Sequence, residues 1–351
     1  MVGVFRSARR PGYQPALAWF AAAGAAWVFV LVMLGAFTTS IGAGMVFQDW
    51  PLSDGSLDPA GWRSNLAMFA EHSHRLSAGI MSAITVVLAG WLWRREPRAW
   101  LRRLGAGAVA LVLAQAAVGG LRVLLDRYPA AMVDTSVGRL FAMLHACLAQ
   151  VFVCTLLAIA AALSRPWADG LAHRPAPVGA GLRRLAVACC GLLLAQLGIA
   201  AVMRHSFAGL AIPTFPLTPD GGLVPAHWDF GVGINFAHRF MALILTGAIA
   251  WLAAGVWRAE GRPRIGGPGL AQLAVLMVAL LVAQIGLGAS VIWTGRNPYF
   301  TTAHVLVGAL LSAATFLLTW LAHREAIEHA PAQPQLQFQG GPAVRGAAVR
   351  A

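Results

Sequence analysis

Four histidines and one carboxylate carry most of the chemistry this sequence offers. His74, His145, His238 and His304 each stand inside a long apolar run, and Glu71 lies three positions before the first of them. An ionisable residue within a membrane-length apolar segment is costly to keep and by default marks a site. Two imidazoles from facing helices suit the two axial bonds of one heme iron, whereas zinc wants a third or fourth ligand. Neither half of the chain supplies such a donor at this depth, apart from Glu71 and His72. The favoured count is two hemes, one on His74 and His145 and one on His238 and His304.

Arg75 and Arg239 directly follow two of these histidines. A guanidinium there suits bidentate contact with heme propionates; the plainer alternative is an arginine snorkelling to the nearer interface. Glu71 sits one helical turn outward of His74 on the same face, and the position matching it before His238 is Asn235. Only the first site therefore sets a carboxylate beside its heme. A carboxyl in a poorly solvated pocket resists ionisation and exchanges protons near neutrality. The plainer alternative is an acid at a helix start, favoured by the dipole. His72 points about 100° away from Glu71 on a helix and reads as loop-facing, His205 and His227 as solvated loop. His173, His323 and His329 carry no signal. Gln115 and Gln284 are explained by helix–helix hydrogen bonds. Cys147, Cys154, Cys189 and Cys190 all lie in apolar runs, with neither metal spacing nor a disulfide framework.

The elements that must position these residues follow from composition. Of 351 residues, 58% are apolar and 11% charged, where a soluble domain carries about a quarter charged. A soluble enzyme is excluded, since such a chain cannot cover its surface with polar groups. All 26 basic residues are arginine against 13 acids, a net charge of +13. They sit in short clusters between apolar runs, which marks membrane topology rather than a nucleic-acid-binding face.

Eight stretches are long enough to cross a bilayer as helices: 17–40, 66–93, 104–125, 137–163, 182–204, 235–257, 269–293 and 299–322. The first is too long for the core of a cleaved signal peptide. Eighteen arginines fall in the N-terminus, the 94–103, 164–184 and 258–268 connections and the tail, and six (Arg63, Arg122, Arg127, Arg139, Arg204, Arg296) in the alternate loops. This distribution predicts a multi-pass protein of the cell (inner) membrane with both termini cytoplasmic. The two long outside loops, 41–65 and 205–234, have the length of functional segments, and the tail after Ala330 reads as unfolded.

The halves repeat at an offset of about 160–170 residues. Phe-Ala-Glu-His-Ser-His-Arg (69–75) answers Ile-Asn-Phe-Ala-His-Arg (234–239), Leu-Ala-Gln-Ala-Ala-Val-Gly (113–119) answers Val-Ala-Gln-Ile-Gly-Leu-Gly (282–288), and Trp50-Pro51-Leu52-Ser53 answers Phe215-Pro216-Leu217-Thr218. An even number of spans per unit gives both halves one orientation, so the repeat is parallel. The expected fold is an all-α membrane protein of two pseudo-symmetric four-helix bundles. Its organisation is a cytoplasmic N-terminus (1–16), a first bundle (17–163), a cytoplasmic linker (164–181), a second bundle (182–322) and a cytoplasmic tail (323–351).

On these residues the chain resembles the heme A synthase family of bacterial and mitochondrial membranes, across roughly 17–322. The motif Glu71-His72-Ser73-His74-Arg75 carries the resemblance, joined by His145, His238-Arg239, His304 and the Thr-Thr-Ser-Ile-Gly-Ala-Gly…Asp-Trp-Pro stretch (38–51). It implies oxidation of a ring methyl of heme O to a formyl group, giving heme A for terminal oxidases, through an alcohol and a hydrated aldehyde. It also implies a resident heme B on His238 and His304, and substrate heme handled by His74 and His145 with Glu71 important for activity. Implied partners are the membrane enzyme that makes heme O, oxidase assembly factors and lipid, with no nucleic acid. Some members carry a cysteine pair in the first outside loop; this sequence has no cysteine in 41–65 or 205–234 and looks like the cysteine-free branch. From the residues alone, a diheme electron-transfer protein without substrate chemistry remains the main alternative. A heme transporter lacks the expected polar pathway.

The orientation is directly testable. Reporter tags at Ala351 and in the 94–103 loop should report the cytoplasm, and tags near Ser56 or Gly221 the opposite side. A cytoplasmic Ser56 tag would overturn the assignment.

Overall fold

The computed structural model describes residues 12–125, 136–168, 178–260 and 269–328. Arg127, His173, His329, the first arginine cluster and the tail after Ala330 lie outside the described residues. Eight helices have the length and apolar content to cross a membrane: α1 (Pro15–Ser40), α2 (Leu66–Arg95), α3 (Ala99–Leu125), α4 (Ser136–Leu163), α6 (Ala180–His205), α7 (Phe230–Glu260), α8 (Leu270–Trp293) and α9 (Pro298–Ala322). Two short helices, α5 (Arg165–Ala168) and α10 (Arg324–Glu328), and a 3₁₀ turn at Ala208–Leu210 complete the described elements.

The apolar runs become helices because only a helix satisfies its own backbone in hydrocarbon. Their starts are fixed by local chemistry. Asn65 accepts from the Ala67 and Met68 N–H groups at the head of α2, and Asn297 caps α9 with Pro298 as its first residue, satisfying donors that the first turn leaves orphaned. Gly295 and Arg296 turn left-handed, with φ of 60° and 66°, to close α8 and lead into α9.

Two helices begin about five residues before their apolar cores. Helix α3 starts at Ala99 rather than 104, and α7 at Phe230 rather than 235. Hydropathy marks the apolar core, but backbone hydrogen bonding continues through interfacial residues such as Arg102 and Arg103, whose long stems suit a helix end near water.

Each half closes into a ring. Helices α1, α2, α3 and α4 pack in cyclic order, and so do α6, α7, α8 and α9. Each ring has its own core, around Met81, Leu88, Leu92, Leu156 and Ile159 in the first and Ile249, Leu252, Met277 and Leu318 in the second. The rings meet along a seam where α1 packs on α9, α4 on α6 and α4 on α9. Exchanging the halves maps α1–α9 onto α6–α4, the pattern of a two-fold axis along the membrane normal. The sequence repeat is therefore a repeat in space.

The two ends of the molecule differ. At the arginine-rich end, Arg98 donates to Glu96 (2.8 and 3.0 Å), to Glu328 of α10 (3.1 Å) and to the Ala162 carbonyl (3.1 Å), tying together three connections. At the other end the loops 41–65 and 206–229 fold back over the helix mouths. Both carry a cis X-Pro bond at the repeated pair, Trp50–Pro51 and Phe215–Pro216.

Candidate functional site

All four histidines lie six to nine residues into helices that run in the same direction, on α2, α4, α7 and α9. At about 1.5 Å per residue, the rings share one depth, roughly 9–14 Å below the loop end of each helix. The rings of His238 and His304 face each other, with centres 6.4 Å apart and planes inclined by 64°. With metal–nitrogen bonds of about 2.0–2.1 Å and about 1.1 Å from nitrogen to ring centre, two axial imidazoles on one ion have centres about 6.3 Å apart. The observed spacing fits that arrangement. In the first bundle His74 and His145 lie close enough for their charges to interact. The Nδ1 atoms of His74, His145 and His238 are buried with no hydrogen-bond partner among the described residues, an unusual state for polar atoms whose desolvation nothing offsets.

Small residues make room for these rings. A methyl group added to Gly35 on α1 would lie 2.8 Å from Cε1 of His74. One on Gly119 of α3 would lie 3.3 Å from Cε1 of His145, and one on Gly288 of α8 3.1 Å from Cε1 of His304. Gly119 and Gly288 occupy matching places in the repeat, so the sequence carried this signal, while the glutamine drew the attention. Those glutamines do contact the site: Gln115 Nε2 donates to the His145 carbonyl (3.0 Å), and the Gln284 carbonyl accepts from His304 Nδ1 (3.1 Å). Gln196 of α6, which the sequence reading passed over, donates to the His238 carbonyl (3.0 Å).

Glu71 is buried, 3% exposed, and both its oxygens are engaged. Oε2 accepts from the Val46 (2.7 Å) and Phe47 (3.1 Å) N–H groups, and Oε1 pairs with Arg75. Arg75 also donates to the carbonyls of Asp49 (2.6 Å), Phe47 (2.9 Å) and Leu52. The second bundle repeats this clamp without the acid. Asn235, 2% exposed, donates to the Ala208 (3.0 Å) and Gly209 (3.1 Å) carbonyls, and Arg239 donates to Asn235 Oδ1 (3.0 Å) and the Ile212 carbonyl (2.7 Å). The expected propionate partners Arg75 and Arg239 thus serve first as anchors for the two long loops. The helix pattern could not show this, because it depends on where the loops return.

His72 is loop-facing, as its helical angle predicts. It pairs with Ser53 Oγ (2.9 Å) and the Leu57 carbonyl (3.1 Å), with Trp62 edge-on at 4.7 Å. Trp50 lies so close over α3 that a Cβ on Gly120 would come within 2.6 Å of its indole. Partial burial of Asp49 opposes its charge, but N–H donors from Gly55 (2.8 Å) and Asp54 (2.9 Å), with Arg75 nearby, hold its carboxyl below the usual carboxylate range. His227 is exposed, whereas His205 is not the solvated loop residue expected: it ends α6 and is half-buried. Helix α6 runs one residue past the expected 204 and so takes in His205. Cys190 of α6 contacts Thr319 (3.3 Å) and Cys189 is buried, both within helix packing.

Eight membrane helices in two rings, each with two histidines at one depth near a clamped loop, define a helical membrane protein with a duplicated histidine site. The chain belongs to the cytochrome oxidase assembly protein family (COX15-CtaA), whose model matches residues 18–316. Among its relatives is the heme A synthase of Alkalihalophilus pseudofirmus, 27% identical over 304 residues that cover 85% of this chain and 94% of that protein. The heme A synthase of Geobacillus kaustophilus is 26% identical, covering 87% and 91%. That of Methylobacterium radiotolerans is 28% identical, covering 90% and 93%.

The glycine contacts generate a test with an internal control on one helix. Gly288→Ala should disturb His304, while Gly286→Ala, where an added Cβ meets nothing within 4 Å, should not. Overpacking of this kind costs about 1–3 kcal/mol. The expected result is a lowered melting temperature and an altered heme absorbance spectrum for Gly288→Ala alone. Equal behaviour of the two variants would contradict the contact.

Proposed function

We propose that this chain is a heme A synthase, an oxidoreductase that converts a ring methyl of heme O to a formyl group and so yields heme A. The observation that carries the reading is the pair of facing-histidine sites at one depth in two bundles, one of them with the ring spacing of a bis-imidazole iron. Membership of the family and the names of its relatives support it.

In this reading the first bundle (17–163) takes heme O between His74 and His145, and the second (182–322) holds a resident heme B between His238 and His304. Held by His238 and His304, heme B would supply a one-electron redox centre. The residues of the chain do the rest. The four imidazoles fix the depth of both ligands. The glycines facing them let the rings approach the helix backbone. The clamped loops keep water from the mouths, with the remaining N–H groups of Arg239 and the single remaining Nε–H of Arg75 assigned to propionates. Glu71 is assigned a proton-exchanging role, since it stands one turn from His74 where the second bundle has only Asn235. Each of the two oxidations, methyl to alcohol and alcohol to hydrated aldehyde, would pass two electrons to an electron acceptor and two protons to solvent with water as the oxygen source. The hydrated aldehyde would then lose water to leave the formyl group. Both termini are assigned to the cytoplasmic side of the cell membrane. Heme O arrives from the membrane enzyme that makes it, and heme A leaves for oxidase assembly.

Chromatography of extracted hemes tests this. His74→Ala and His145→Ala should abolish heme A output in cells that make heme O, while His238→Ala or His304→Ala should remove the resident heme B spectrum. Glu71→Gln keeps the side-chain length and an acceptor for the loop but loses the ionisable proton. It should keep heme bound yet accumulate heme O or the alcohol, since acid–base help is worth about 10²–10⁴-fold. Unchanged heme O with normal heme B in wild type would instead indicate an electron carrier. Wild-type heme A output from Glu71→Gln would reduce Glu71 to a loop anchor.

A further inference from the structure

The loop end of the second bundle carries positive charge that no acidic side chain is seen to balance. Arg204, next to last in α6, is partly buried at the seam. It donates to the Ala36 carbonyl (3.2 Å) and the Ser40 hydroxyl (3.0 Å) of α1, and Thr302 of α9 donates to that same hydroxyl (3.3 Å). These are neutral acceptors, and among the described residues no carboxylate forms an ion pair with Arg204. Arg296, in the turn before α9, lies with its side chain against Gly209, where an added Cβ would sit 3.6 Å from its Cδ. Gly209 follows Arg204 by five residues, and Thr302, six residues after Arg296, shares the Ser40 hydroxyl with Arg204, so the two arginines stand at one corner of the seam. Among the described residues Arg296 forms no ion pair either.

The repeat supplies a control. The offset that aligns His74 with His238 places Glu71 on Asn235, and the one that aligns Trp50-Pro51 with Phe215-Pro216, and α1 with α6, places Thr39 on Arg204. Both differences act in one sense: the first mouth gains an acid and the second a base. Two neighbouring guanidinium groups withdrawn from water without an anion are costly, and each offers the planar fork that takes a carboxylate bidentately. Both also lie near the ligand site. Arg204 is eight residues, about 12 Å of helix, beyond Gln196, which holds the His238 carbonyl. Arg296 precedes His304 by eight residues, and the charge of Arg204 reaches that histidine.

We propose that Arg204 and Arg296 form a carboxylate-binding pair for a propionate of the heme held by His238 and His304. The proposal rests on the heme assignment made above. It gives the second bundle a charged grip on its ligand at the end of α6, where the matching place of α1 holds Thr39.

Heme loss from the purified full-length holoprotein into excess apomyoglobin tests this. Hydrogen bonds to charged groups are the stronger kind, so Arg204→Gln and Arg296→Gln should each speed release of the His238-dependent heme by about 10–100-fold, with the low-spin bis-histidine spectrum unchanged. Arg204→Lys, which keeps the charge but not the fork, should fall between. Ser40→Ala removes the seam contact without touching charge and should release heme at the wild-type rate. Wild-type release from both glutamine variants, or faster release from Ser40→Ala matching that of Arg204→Gln, would overturn the pair. A wild-type protein with no His238-dependent heme would overturn the heme assignment itself, and the pair's role with it.

Discussion

A polar group inside a bilayer has no water to fall back on, and most of this structure follows from that constraint. Helix hydroxyls turn back onto their own backbone, as when Thr38 donates to the Leu34 carbonyl while also reaching Ala70 of α2, both at 2.9 Å. Gln115 and Gln196 reach across to the carbonyls of His145 and His238. Arg75 distributes its donors over three loop carbonyls and a carboxylate. Partners run short at the Nδ1 atoms of three of the four histidines.

The same constraint links the site to the loop above it. His74, Glu71 and Arg75 lie within two turns of α2, so the helix that offers an imidazole to the ligand also grips the backbone from Phe47 to Leu52. Helix α7 does likewise with His238, Asn235 and Arg239 around 208–212. Loop and ligand site therefore share one rigid support. The halves differ in how the grip is charged: an ion pair in the first, an amide in the second. That difference sets the two bundles chemically apart.

Much of this was legible in the sequence because membrane helices write themselves as long apolar runs and the duplication checks each match against another. The eight spans, the four histidines and the parallel repeat all come from those signals. Helix starts at Ala99 and Phe230 were not legible, since hydropathy measures contact with lipid and a helix does not stop where lipid does. The half-burial of His205 depends on how the end of α6 packs, which no local pattern shows. The loop-anchoring role of Arg75 and Arg239 depends on the return path of segments with no period to read. Arg204 counted only as one of six arginines on the sparsely charged side, because nothing local distinguishes a solvated helix end from one pressed against another bundle.

The seam has a further consequence. Contacts that exchange α1–α9 with α6–α4 and bring α4 onto α9 are isologous: each unit offers the other the same surface, and the pair is closed to a third. This is the geometry of a homodimer of four-helix proteins whose subunits have been joined into one chain. In a true homodimer every substitution appears twice. Joined in one chain, each half varies alone, so Arg204 stands in α6 where the matching place of α1 holds Thr39, and it reaches across the seam to the Ser40 hydroxyl.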